Sequence, residues 1–133
     1  MSTASAISAS GMNAASRRLE VAARNIANVR SNGPLPGAGE NTGFEAFVPG
    51  RIDQVETAGG GTAANVGAVD PSFVQAYDPD ASYADANGMV AAPNVDLANE
   101  VVEALVARYT FALNANVMRG ATQMTKSLLD MTA

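Results

Sequence analysis

The chain has 133 residues, 8 basic and 13 acidic, with no histidine, cysteine or tryptophan. That length is one domain, or one domain with long appendages. Without histidine and cysteine the commonest metal ligands, the usual general base near neutral pH and the thiol nucleophile are gone, and most catalytic schemes go with them.

The absence of cysteine also removes any disulfide framework, which is compatible with the cytosol, the cell exterior or export in an unfolded form. Of the 63 hydrophobic residues 27 are alanine, while Leu, Ile, Val and Phe together number only 27. Side chains this small suit helices that approach closely, within the chain or between copies, better than a thick interior. No run of about 18 apolar residues offers a membrane span. The start, Met1 to Ser10, lacks the basic and long apolar stretches of a cleavable signal.

Glycine and proline partition the sequence: 16 of the 18 lie between Ser31 and Asn94, leaving Gly11 and Gly120 in the flanks. The flanks permit helix and the middle does not. Charge follows the same division, at +3 for residues 1–30, −7 for 31–94 and −1 for 95–133. The basic N-terminal arm can stand against acidic surface of a neighbour, or be a solvated helix face with no partner. Three parts are expected: an N-terminal helical arm over 1–32, a Gly/Pro-rich strand-and-loop module over 33–94, and a C-terminal helical arm over 95–133.

In the first arm Met12, Ala15, Leu19, Ala22, Ile26 and Val29 alternate at spacings of three and four, one stripe of an amphipathic helix. Asn32, Gly33 and Pro34 form a stop, because glycine accepts left-handed dihedrals and proline cannot donate to another turn. The helix is expected from about Thr3 to about Arg30.

The middle offers short β-compatible pieces at Phe44 to Val48, Val66 to Val69 and Ser72 to Tyr77, separated by Pro49–Gly50, Gly59–Gly60–Gly61 and Asp78–Pro79. These predict a partly irregular module with a hairpin or two, mobile in an isolated subunit.

In the last arm Val102, Leu105, Tyr109, Leu113, Val117, Gly120, Met124, Leu128 and Met131 recur at the period of a straight helix. This stripe is the stronger of the two. Asp96, following Pro93, is a ready N-cap, so the helix is expected from Asp96 to Met131. At 1.5 Å per residue it would be roughly 54 Å long, against a radius of gyration of about 14 Å for a compact globule of this length. Its stripe needs the N-terminal helix, a neighbouring subunit, or both as cover. Gly11 and Gly120, with Ala14 and Ala15, are positions where backbones can approach closely. Taken together, the elements predict a mainly α chain whose terminal helices form an antiparallel, coiled-coil-like pair around a small irregular or β-hairpin middle.

Candidate chemistry is thin. Gly59–Gly60–Gly61–Thr62 lacks the lysine of a phosphate loop and reads as a flexible turn. Asp78, Asp80, Ser82 and Asp85 imitate the opening of a calcium loop, but Tyr83 stands where glycine is needed and Met89 where the bidentate glutamate belongs. Glu100 and Glu103 lie one helical turn apart on what reads as a wet face. Nucleic acid is disfavoured by the negative charge and by arginines not interleaved with aromatics. No cofactor is expected, and association through helices is the chemistry that remains.

Three stretches resemble a known family, the bacterial flagellar rod, hook and hook–filament-junction axial proteins, and within it the proximal-rod branch. Ile7 to Asn28 is similar to the family's N-terminal helix, ending in the Ala-x-Asn-Ile-Ala-Asn signature at Ala23 to Asn28. Tyr77-Asp78-Pro79 and Ala84 to Asp96 are similar to the stretch that sets the proximal-rod branch apart. Glu100-Val101-Val102, Phe111, Asn114, Val117 and Met124 fall on its C-terminal helix. Arg24, Tyr109, Phe111 and the Ser31 to Gly37 run depart from the usual residues.

The resemblance implies a nonenzymatic structural subunit of the periplasmic rod. It would be exported by the flagellar type III apparatus without a cleavable signal, and would polymerise with copies of itself and other rod proteins around a central channel. Asn25, Asn28, Asn94 and Asn114 become candidates for hydrogen bonds at helix ends or between helices. An apolar export-gate element near the N-terminus usually carries phenylalanine; here the first phenylalanine is Phe44. Read from the residues alone, a helical adaptor or export chaperone that never polymerises stands as an alternative, as does a small metal-dependent enzyme on Asp78, Asp80 and Asp85.

Overall fold

A computed structural model of the chain describes residues 3–37 and 45–131. The element order is α1 (Thr3–Ala27), β1 (Gly50–Thr57), β2 (Gly61–Ala68), β3 (Phe73–Tyr77), β4 (Met89–Pro93) and α2 (Leu97–Asp130). The helices hold roughly twice as many residues as the strands, so the mainly α expectation holds in outline.

Helix α1 is rich in alanine and unbroken by proline. It ends three residues before the expected Arg30 because Asn28 folds back: its Nδ2 donates to the Arg24 carbonyl at 2.9 Å and its Oδ1 accepts from the Ser31 hydroxyl at 3.2 Å. The Arg24 carbonyl, which also accepts the Asn28 N–H at 3.1 Å, thus gains a second partner from the side chain. Helix α2 begins where Asp96, in an extended conformation, accepts from the amides of Ala98 at 3.0 Å and Asn99 at 3.2 Å. Glu100 in the first turn adds a favourable charge at the positive end. The two helices lie side by side with opposite chain directions. Asn25 meets Glu100, Arg18 meets Glu103, and Gly11 stands against Asn114.

The middle is more regular than its composition implies. Strands β1 and β2 form an antiparallel hairpin in register from Gly50↔Ala68 to Thr57↔Gly61. Its tip uses Gly59 and Gly60, both with positive φ, the conformation a tight three-residue connection demands. Strands β3 and β4 pair antiparallel from Phe73↔Pro93 to Tyr77↔Met89. The free edge of β4 is taken by Gly33, whose N–H and C=O both bond Ala91 at 2.9 Å. A Cβ on Gly33 would collide with the backbone of Ala46, so glycine there allows the return of the chain; its φ is not positive, and the left-handed stop expected at Gly33 is not what ends α1 at Ala27.

Three expectations are corrected. Gly50 is the first residue of β1 and not part of a turn. The piece sought at Phe44 to Val48 is no strand over Glu45 to Val48, and Phe44 lies outside the described residues. β2 starts at Gly61, five residues before the expected Val66.

The core is small-residue throughout: Ala14, Ala15, Val21 and Ala22 from α1, Ala64 from β2, Val90 and Ala91 from β4, and Ala107 from α2. Replacing the Asp96 cap by alanine should cost about 1 kcal/mol. Urea unfolding followed by helix ellipticity is the measurement, and an unchanged midpoint would contradict the capping role.

Candidate functional site

The alternating stripe predicted for the last arm does not face α1. The α2 residues turned towards α1 are Glu100, Ala104, Ala107, Asn114, Met118 and Ala121, of which Ala107 is fully buried. This seam repeats every three and four residues and, Met118 apart, is built from small or polar side chains. Residues of the apolar stripe occupy the opposite side. Val102, Leu105, Tyr109, Leu113, Val117, Met124, Leu128 and Met131 are between 48% and 82% exposed. Helix geometry makes this an either/or outcome, since residues offset by about half a turn cannot share a face. The alanine seam lets the backbones approach, and the larger side chains are left outside.

On α1 the predicted stripe splits. Ala15 and Ala22 are buried, as is Ala14 beside them. Met12, Ile26 and Val29 are half-buried, whereas Leu19 and Ile7 are each 42% exposed. The two glycines differ. Gly11 sits against α2, where a Cβ would come within 2.7 Å of Asn114 Oδ1. Gly120 has nothing within 4 Å of its Cβ position.

The four asparagines have distinct surroundings. Asn25 is fully buried and joins three elements: its Nδ2 donates to the Gly50 carbonyl at 2.8 Å and to Glu100 Oε1 at 2.7 Å, and its Oδ1 accepts from Gly50 N–H at 3.0 Å. The amide thus completes a peptide-like pair with the first residue of β1 while holding α2. A Cβ on Gly50 would lie 2.9 Å from Arg24 Nη2 and 3.3 Å from Val21 Cγ1, so a larger residue there would require the Arg24 side chain to move and Val21 to give slightly. Asn28 caps α1, as above. Asn94 donates to the Pro71 carbonyl at 2.9 Å, tying the end of β4 to the loop before β3. Asn114 donates to Thr110 O at 2.9 Å within its own helix.

A second link joins α1 to the hairpin, in which Ser10 Oγ accepts from Thr62 N–H at 3.2 Å. No sequence signal singled out Ser10 or Gly50, because their roles exist only once the hairpin folds back on α1. The Arg18–Glu103 ion pair is long, 3.8 Å, and partly solvated, so it adds little.

Asp85 Oδ1 accepts from the amides of Asn87 and Met89, each at 2.8 Å. It closes the turn between β3 and β4. Its carboxyl is held below the usual range, chiefly by the Met89 N–H, with Asn87 adding to the effect and desolvation opposing it. Among the described residues no cluster of three acidic side chains is arranged to hold a metal ion, and no helix is long and apolar enough to cross a membrane.

A helix pair with a small-residue seam, an apolar face left outside and β-hairpins strapped to one flank defines a helical structural subunit. No family model matches the sequence. Curated relatives do. It is 33% identical over 131 residues to the flagellar basal-body rod protein FlgC of Agrobacterium fabrum, covering 98% of this chain and 94% of the relative. The FlgC proteins of Salmonella typhimurium and Escherichia coli O6:H1 are 34% and 33% identical, over 89% of this chain and 87% of each relative. The chain belongs to the flagellar basal-body rod protein FlgC family, and with it to the structural proteins of the flagellar basal body.

Two outcomes are expected. Asn25→Ala strands both polar groups of Gly50 and should cost about 2 to 4 kcal/mol, whereas Asn28→Ala at the exposed helix end should cost less than about 1 kcal/mol; equal shifts in urea midpoint would refute the junction role. For Asp85, whose pKa is lower folded than unfolded, the stabilisation is present above the usual aspartate range and lost as pH falls through the lowered value. Protection of the Met89 amide from exchange, relative to the intrinsic rate at each pH, should fall across that window in the native chain and not in Asp85→Asn.

Proposed function

We propose that the chain is a nonenzymatic subunit that polymerises through the exposed apolar side of its terminal helices, forming part of the proximal rod and of the wall around its export channel. The observation carrying this reading is the outward stripe of α2, eight large side chains left 48% to 82% exposed by the described residues along a helix of 34 residues. Each Leu, Val or Met side chain on it is worth about 1.5 to 3 kcal/mol if a neighbour buries it fully. Residues 1–32 and 95–133 act as the axial core and 33–94 as a laterally placed module at larger radius. In the assembled rod the antiparallel helices pack in coiled-coil fashion. Met12, Leu19 and Ile26 on α1 then join Val102, Leu105, Tyr109, Leu113, Val117, Met124, Leu128 and Met131 at subunit contacts.

The partners are copies of this chain and other rod proteins, and the route is the flagellar type III apparatus to the periplasm without a cleavable signal. The split of charge between a basic first arm and an acidic middle favours heterologous contacts between copies.

Leu113→Asp places a carboxylate where a neighbour should cover apolar surface. Burying an unpaired charge there costs several kcal/mol, so association should weaken by at least about a hundredfold. Motility and rod assembly should be lost with expression and helix content intact. Normal swimming would contradict polymerisation through this face and favour a helical adaptor.

A further inference from the structure

Two asparagines of this chain, Asn32 and Asn87, are followed by glycine. In that pairing the glycine amide nitrogen can close a five-membered ring on the asparagine carboxamide carbon, and no Cβ screens it. The fold requires glycine at both places. A Cβ on Gly33 would lie 2.2 Å from Ala46 N, while Gly88 has a φ of +74° and Tyr77 Cε2 stands 2.9 Å from its Cβ position.

The two surroundings differ. Gly33 is buried, and its N–H and C=O are both spent on Ala91, a residue only 1% exposed. Releasing the Gly33 nitrogen means parting β4 from the segment after α1. Asn87 is exposed, and the Gly88 N–H donates to the Asp85 carbonyl at 2.9 Å, three residues back in the same turn. The other bonds that close this turn run from the amides of Asn87 and Met89 to Asp85 Oδ1 and from Asp78 N–H to the Gly88 carbonyl. All of them lie within residues 78–89. Local opening of one exposed turn therefore frees Gly88, whereas Gly33 waits on a larger unfolding event.

We propose that Asn87 is a site of spontaneous deamidation gated by the opening of its turn, and that the fold protects Asn32, which has the same Asn-Gly sequence. The Gly88 nitrogen gives up its proton and bonds to Asn87 Cγ; the Cγ–Nδ2 bond breaks and ammonia leaves. Water then opens the cyclic imide, with no oxidant or reductant involved. Breaking the new N–Cγ bond leaves aspartate at position 87. Breaking the original peptide bond leaves isoaspartate, whose main chain is longer by the side-chain methylene. Either product sets a second carboxylate close to Asp85, and like charges at this range repel. Isoaspartate also shifts the Met89 N–H and the Gly88 carbonyl away from their partners, so the β3–β4 turn loosens as the chain ages.

The test is to age the full chain at mildly alkaline pH, with and without unfolding urea, and to resolve aspartate and isoaspartate at positions 32 and 87 by peptide mapping. Without urea, position 87 should convert at least about tenfold faster than position 32, and in urea the two rates should converge to within about threefold. Asp85→Ala removes the carboxylate acceptor of the turn, and should speed conversion at position 87 by at least about threefold while leaving position 32 unchanged. Protection of the Met89 amide should fall on ageing in the native chain and hold in Asn87→Gln, whose longer side chain closes a ring far more slowly. Comparable rates at the two positions without urea would overturn the protection of Asn32. Conversion at position 87 only in urea would overturn Asn87 as a site in the folded chain, and an unchanged rate in Asp85→Ala would overturn the turn as its gate.

Discussion

Distance between the two helices is the constraint on which this structure turns. The buried apolar side chains along α1 and α2 are mostly alanines, at 14, 15, 22 and 107, so the backbones come close enough for Asn25 to reach Glu100 and for Asn114 to fill the space above Gly11. A seam of leucines would hold the axes farther apart and open both contacts. It would also turn the large side chains inward, leaving no apolar surface for neighbours. Small residues inside and large ones outside reverse the usual order of a globular domain.

The middle segment inherits its position from that seam. Asn25 can satisfy Gly50 only from a helix already placed against α2, because the same amide nitrogen serves both. The hairpin is held again at its far end by Ser10 and Thr62. β4, the most buried strand, is fixed to the segment after α1 through Gly33 and Ala91. Helix pair and strands are thus joined by backbone-directed hydrogen bonds together with a thin layer of small apolar side chains, which explains how so little large apolar side-chain mass keeps the parts together.

Both helices were legible in the sequence from their period, and Asp96 marked one start; the stop read at Gly33–Pro34 lies six residues beyond the end of α1 at Ala27. The apolar stripe of α2 was legible too, but not its direction. Periodicity shows that Leu105, Tyr109 and Leu113 share a side, and says nothing of what that side meets; the competing seam of alanines carries almost no hydrophobic signal. β1 was missed because Arg51, Asp53, Gln54 and Glu56 leave only Ile52 and Val55 as apolar markers, and Pro49–Gly50 imitates a turn. β4 was missed because Ala91 and Ala92 have weak strand preference, and its burial depends on partners distant in sequence. Asn25 was singled out by its place in a recurring signature. Its partner Gly50 was hidden among glycines that serve only as punctuation.

An interior of alanines and two valines also sets how the chain responds to being pulled. Little hydrocarbon returns to water when such a fold is drawn out from one end, and the bonds at Asn25 and Ser10 can break one after another. The subunit should therefore yield to modest mechanical force, coming apart in steps and not all at once.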